Sequence, residues 1–167
     1  SDEYPYSIKA WGHLSEKTTL SFQDSRTTIY GYVFSGETTL IRKRHNSKPL
    51  KSSIIEGMFF CCPGKLKIEG GSGFVVSVKM RTAKRNCGIF MVAGPLEADA
   101  AGELTGMLPY IDGCSDTVLI HPQVRGEPCL NHLHFPPHIN QTQHTHPSGR
   151  AGMVIHGEGH CVVVDPV

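Results

Sequence analysis

Apolar and polar positions along this chain alternate in short runs and almost nowhere recur at the three-to-four spacing of an amphipathic helix. Runs rich in Val, Ile, Thr, Phe and Tyr are separated by Gly, Pro, Asn and Ser, the punctuation of strands and turns. The runs predict strands at Thr18–Phe22, Thr27–Phe34, Thr38–Lys43, Ser52–Ile55, Met58–Cys62, Lys65–Glu69 and Gly73–Met80. Beyond these, strands are predicted at Gly88–Ala93, Thr117–His121, Cys129–Phe135, Gln141–His146, Ala151–His156 and His160–Val164. Ser35-Gly36-Glu37 and His156-Gly157-Glu158-Gly159 read as tight turns between paired strands. Turn signals recur roughly every eight to twelve residues, the rhythm of an antiparallel sandwich or barrel. The expected fold class is all-β, with strand exceeding helix at least about threefold.

The pattern breaks over Gly94–Asp116, where Pro95–Glu103 carries no strand signal and reads as a linker with a short helix. On either side lies a stretch with the pattern of a β-barrel. The expected organisation is therefore a first barrel over 1–94, a linker over 95–116 and the start of a second barrel over 117–167. The second stretch is much shorter and stops directly after a strand, at Asp165-Pro166-Val167. A barrel without its return strands leaves an unpaired edge and an open core.

Composition narrows the picture. With 39% apolar and 19% charged residues over 167 positions, the chain has material for a core and too little charge for disorder. Lys+Arg 16 against Asp+Glu 15 lacks the basic excess of a phosphate-binding nucleic-acid partner. No apolar run approaches the roughly eighteen residues of a membrane span. The start, Ser1-Asp2-Glu3-Tyr4-Pro5, is polar and acidic, unlike a signal or transit peptide. A soluble, cytoplasmic protein without nucleic-acid or membrane partners is expected. The six cysteines, at 61, 62, 87, 114, 129 and 161, form no CxxC pair. They read as reduced thiols, with Cys61, Cys62 and Cys161 in the core.

Histidine is the unusual residue. Seven of the ten (His132, His134, His138, His144, His146, His156, His160) fall within 29 residues. On a strand, residues two apart share a face, so His144 and His146 would project together, with Thr142 joining them and Gln141 and Gln143 on the other side. Two convergent imidazoles are a half-site for a divalent transition metal, or else histidines satisfied by backbone carbonyls. His132 and His134 repeat the spacing one strand earlier, as further ligands, as proton-transfer groups or as residues lining a wet face. His138, His156 and His160 are expected at the surface. The cluster Arg42-Lys43-Arg44-His45 reads as a solvated turn. Serine-nucleophile elbows, phosphate loops and CxxC zinc knuckles are not found.

The run from His144 through His146, Arg150 and His156 to Gly157-Glu158-Gly159 resembles the first motif of the cupin superfamily, G-x5-H-x-H-x(3,4)-E-x6-G. Both histidines and the closing Gly157 keep the spacing. Arg150 stands in place of the family's glutamate, and its opening glycine falls on His138. The second cupin motif, G-x5-P-x-G-x2-H-x3-N, begins on Gly57 and Pro63, but Ile68 occupies its histidine position. Gln23, Ser25 and Ile29 stand where the first half would carry its own His, His and Glu. The resemblance implies tandem jelly-roll barrels, a first one without ligands and a second one carrying the site. In the first half 32 residues separate Gly36 from Ile68, and the same interval beyond Gly157 reaches about position 189. The expectation is a two-cupin protein cut within its second barrel, or lacking a tail, with the third histidine beyond Val167.

What the resemblance implies for function is a metal-dependent enzyme acting on a small organic molecule, foremost an oxygenase. His144 and His146 would hold Fe(II), or Mn, Ni or Zn; His132 or His134 would move protons; Arg150 would clamp an anionic substrate group, or point to solvent. A cupin isomerase or epimerase with a histidine base is the alternative enzyme. A non-catalytic ligand-binding or assembly cupin is the alternative outside enzymes. Cupins commonly dimerise, so a homodimer or larger homo-oligomer is expected.

Overall fold

A computed structural model describes residues 6–43, 46–79, 90–98, 100, 102–122, 128–146 and 149–164. The strands are β1 (Tyr6–Trp11), β2 (Thr19–Phe22), β3 (Thr27–Ser35), β4 (Thr38–Arg42), β5 (Leu50–Ile54) and β6 (Phe59–Pro63). They continue with β7 (Leu66–Glu69), β8 (Ser72–Lys79), β9 (Met91–Ala93), β10 (Leu108–Pro109), β11 (Ser115–Ile120) and β12 (Leu130–His134). Two three-residue 3-10 turns, Gly12–Leu14 and Ile111–Gly113, are the helical elements among the described residues. The chain is all-β, as its period-two pattern predicts.

One sheet runs β1-β8-β3-β6-β9 and a second β2-β7-β4-β5, with every pairing antiparallel. Strands one to eight thus divide between two four-stranded arrays, β1-β8-β3-β6 and β2-β7-β4-β5, the order of two interlocked Greek keys. The fold is a jelly roll. Trp11, Leu20, Phe22, Ile29, Val33, Leu40, Ile54, Phe60, Cys62, Leu66, Ile68 and Val75 fill the space between the sheets. Two glycines make room for its largest rings: a Cβ on Gly31 would run into the Phe60 ring, and one on Gly73 into Trp11. Ile29 and Ile68, at positions where the cupin pattern would place ligands, are fully buried hydrophobic core, and Gln23 and Ser25 are exposed. This interior is apolar packing rather than a site.

β2 and β7 alternate buried and exposed positions because one face of their sheet meets solvent. β6 is buried at every position and β3 over its first five residues, because the first sheet is covered on both faces there. Its outer face presents Tyr30, Phe59 and Cys61, which pack with Ile120 and, partly buried, Leu119, Leu130 and Leu96. Those residues bring with them a third sheet, β10-β11-β12, and the Tyr30 hydroxyl donates to the Pro128 carbonyl at 3.3 Å.

Several sequence expectations change here. β1 and β10 were not anticipated, and β10 and the start of β11 lie within the stretch expected as a linker. No α-helix occupies the described part of 95–103. The Gly88–Ala93 run yields β9 alone, its first two residues lying outside the described ones. The predicted strands Gln141–His146, Ala151–His156 and His160–Val164 are not strands in their described residues, so the expected His156–Gly159 hairpin has no flanking ladder. A strand exists only with a partner to take its backbone hydrogen bonds. Val154, Val162, Val163 and Val164 are exposed rather than packed. Cys161, expected in the core, is exposed for the same reason; Cys61 and Cys62 are buried as expected. Of the basic cluster, Lys43 is exposed, the Arg42 guanidinium lies 5.5 Å from the Phe90 ring centroid, and residues 44 and 45 lie outside the described residues. Among the described residues no helix is long and apolar enough to cross a membrane.

Candidate functional site

The turn that leads into β11 builds the floor of the histidine site. Asp112 takes a left-handed conformation (φ 55°) inside the Ile111–Gly113 turn, which aims its carboxylate at the chain thirty residues on. Its Oδ2 accepts a hydrogen bond from the Thr142 backbone N–H at 2.5 Å. Hydrogen bonds from Thr142, helped by the nearby His144 ring, hold the Asp112 carboxyl below the usual carboxylate range. Gln141 adds a second tie, its Nε2 lying 3.5 Å from the Sγ of buried Cys114. Segment 141–146 is therefore held by side chains from the preceding turn, not by a ladder.

That anchoring brings the two histidines together. The Nε2 atoms of His144 and His146 lie 3.1 Å apart, and their rings stand nearly perpendicular. Tyr110 packs edge-on against His144, with centroids 6.2 Å apart. The Nδ1 of His144 lies 2.8 Å from the Thr142 carbonyl, and the Nδ1 of His146 lies 2.9 Å from Nη2 of Arg150. A carbonyl only accepts and a guanidinium only donates, which assigns the hydrogens of the neutral rings. His144 carries its hydrogen on Nδ1, and His146 carries its own on Nε2, donated to the bare Nε2 of His144. His144 is half-buried, whereas His146 and Arg150 are exposed. Desolvation, then the Arg150 and His144 charges, hold His146 below the ordinary imidazole range. The two rings lie side by side, but on an irregular segment with His146 exposed, not on the inward face of a barrel strand as expected.

His132 and His134 sit on β12, opposite Thr117 and Ser115 of β11, and both are half-buried. Burial first, then the His134 charge, push His132 down, with Asp116 opposing. Next to it in sequence, Asn131 donates to both carboxylate oxygens of Asp116 at 3.1 and 2.8 Å, and its own buried Oδ1 finds no partner among the described residues. Among the described residues no three His, Cys, Asp or Glu side chains form a metal-holding group. His138 (φ 62°), His156 and His160 are exposed, as expected. Tyr110 and Asp112 were missed in the sequence; the only local signal was an Asp-Gly pair, which reads simply as a turn.

Donor chemistry and spacing fit a divalent transition metal at two positions. Two Zn–N or similar bonds of about 2.0–2.1 Å at neighbouring sites put their nitrogens about 3.0–3.4 Å apart. The 3.1 Å separation is that of the hydrogen bond between the two rings and also falls in that range.

No protein-family model matches the chain, and no curated protein matches it. Solved structures similar to it include Bacillus subtilis oxalate decarboxylase, described for its Mn(II) centres, at TM-score 0.31 and 13% identity. That match covers 44% of this chain and 20% of the other. A serine-to-alanine variant of the same enzyme matches at TM-score 0.30 and 14% identity, over 36% of this chain and 18% of that one. The chain thus spans about a fifth of the length of these structures. The jelly-roll assignment rests on the strand order itself.

Proposed function

We propose that this protein is a metal-dependent enzyme of the cupin kind that acts on a small anionic organic molecule, foremost as an oxygenase using Fe(II). The observation that carries the reading is the approach of two imidazole nitrogens, 3.1 Å apart, on the segment tied to the turn before β11. His144 and His146 would supply two ligands. When bound, such an ion supplies open coordination positions for substrate and dioxygen. The chain's own residues do the rest. Asp112, through the Thr142 backbone, fixes where His144 stands, and Tyr110 packs against its ring. The exposed Arg150 fork binds the substrate's anionic group. His132, kept neutral by burial, is the candidate for moving a proton.

A second reading, a ligand-binding jelly roll without catalysis, is favoured by the exposure of His146 and by the two-member donor set. Metal analysis of protein loaded with Fe(II), Mn(II), Ni(II) or Zn(II) separates the two. Near-stoichiometric uptake is expected, lost in the His144→Ala, His146→Ala double variant with little change in melting temperature. Equal metal content in that variant would refute the metal site; a protein that takes up none of these ions would leave the binding reading.

A further inference from the structure

The near balance of charge over the whole chain, which argues against a nucleic-acid partner, averages two unlike halves. Residues 1–94 carry 14 Lys and Arg against 7 Asp and Glu, whereas residues 95–167 carry 2 against 8. Within the jelly roll the charges separate again, along the strands. β2, β4, β5 and β7 finish together where Phe22, Arg42, Leu50 and Leu66 lie in register. Lys43 leaves β4 at this end, Lys48 leads into β5, Lys51 lies one residue inside it, and Lys65 leads into β7. Across the core, Lys79 ends β8 opposite Thr27, whose carbonyl accepts from the Gly64 N–H beside Lys65 at 2.7 Å. These five lysines are exposed, and none has an ion-pair partner among the described residues. Asp24, on the turn between β2 and β3, is already taken by Arg26 at 3.5 Å. Glu16, Glu37, Glu56 and Glu69 stand at the other end of the same strands, with Lys17.

We propose that this basic end of the jelly roll is a docking surface for the phosphate backbone of a nucleic acid, bound without regard to sequence. It stands independently of the histidine site. Like charges gathered without partners work against the folded state, and a polyanion relieves that repulsion. Strand ends stand about 4.8 Å apart within a sheet and about 10 Å apart across the core, so the lysines span several phosphate spacings. Lysine is a point charge on a flexible stem, suited to following a backbone rather than to gripping one planar group. A membrane or a protein partner fits this end less well. Bilayer docking adds an apolar face to the charges, and the cores of protein interfaces are apolar or aromatic. None of the large hydrophobic residues exposed on the described chain lies on these turns; Ile55 is at the acidic end, and Ile8 lies within β1. Counterion release from phosphates needs no such anchor.

The test titrates the chain as it stands into labelled duplex DNA, single-stranded DNA and RNA, each about 20 nucleotides per strand, and reads fluorescence anisotropy. At about 50 mM salt at least one should bind with a dissociation constant of about 100 μM or tighter, the range of backbone-driven binding. The tightest of the three tells which nucleic acid this end accepts. Raising salt to about 200 mM should weaken duplex binding with a log–log slope of about −4 to −5, from five lysines at about 0.9 each. Lys43→Gln, Lys48→Gln and Lys51→Gln together should weaken binding at least about tenfold and cut the slope by about 3, one for each lysine. The three side chains are exposed, so the variant keeps the fold. Lys17→Gln, at the acidic end, should change neither affinity nor slope. The proposal is overturned if none of the three nucleic acids binds at about 50 mM salt, or if the triple variant binds as the wild type does. Capture by phosphatidylserine vesicles without nucleic-acid binding would also overturn it, and would make this end a membrane surface.

Discussion

At the scale of single residues, the same apolar packing that builds the jelly roll sorts the thiols. Cys61, Cys62 and Cys114 are buried, and burial pushes the Cys62 thiol up to about 11. A buried thiol at that value has almost no thiolate near neutrality and no path for a reagent. Cys129 and Cys161 are exposed. In native protein, iodoacetamide followed by peptide mass mapping should label Cys129 and Cys161 within minutes, and the buried three only after denaturant. Rapid labelling of Cys61 or Cys62 would mean that the β3–β6 pairing opens readily. Arg150 belongs to the same scale: a single exposed side chain decides which nitrogen of His146 is bare.

At the scale of elements, β12 carries a source of pH sensitivity in a half-buried histidine. His132 is half-buried on it, and its folded pKa lies below the ordinary 6.5. Folding therefore prefers the neutral ring, and the unfolded chain binds the proton more readily. The associated stability is fully present above the unfolded value and is lost as pH falls through the folded one. Replacing His132 with Gln should flatten the decline of unfolding free energy on the acid side of about pH 6.5. Denaturant titrations of both proteins from neutral to mildly acidic pH read this directly, and an unchanged slope would mean that the ring is not desolvated in the folded state. The segments after β12 illustrate the other limit of an element. Residues 151–156 and 160–164 have the β-branched composition of strands, yet form none, since propensity cannot supply a pairing partner.

At the scale of the molecule, the three-stranded sheet leans on the jelly roll through one patch. Ile120 meets Tyr30, Phe59 and Cys61, and the Tyr30 hydroxyl ties down Pro128. Truncating Ile120 to Ala removes the buried centre of that patch and should cost about 2–5 kcal/mol, as for other buried Ile side chains. The loss should be local. Hydrogen exchange of the variant should accelerate in β11 and β12 while the amides shared by β3 and β8 stay protected. Equal acceleration in both places would mean that the two parts open as one cooperative unit.

Much of this was legible in the chain. The seven strands from β2 to β8 lie close to where the short β-branched and aromatic runs predict them, β2 and β7 by their period of two and β6 by its continuous apolar run between turn residues. β1 escaped notice because an edge strand that fully buries only Trp11 has little pattern to read, and β10 is two residues long. The spacing of His144 and His146 marked them as partners, and Arg150 as their unusual neighbour. Sequence could not say that Asp112 and Tyr110 hold this pair, since thirty intervening residues had first to be folded back. Nor could it give the hydrogen on each imidazole, which depends on which acceptor or donor sits within reach. Period and composition are local properties, carried by each run of residues on its own. Strand partners, the covered outer face of the first sheet and the tautomers of the histidines are contacts between distant residues, and only the tertiary structure decided them.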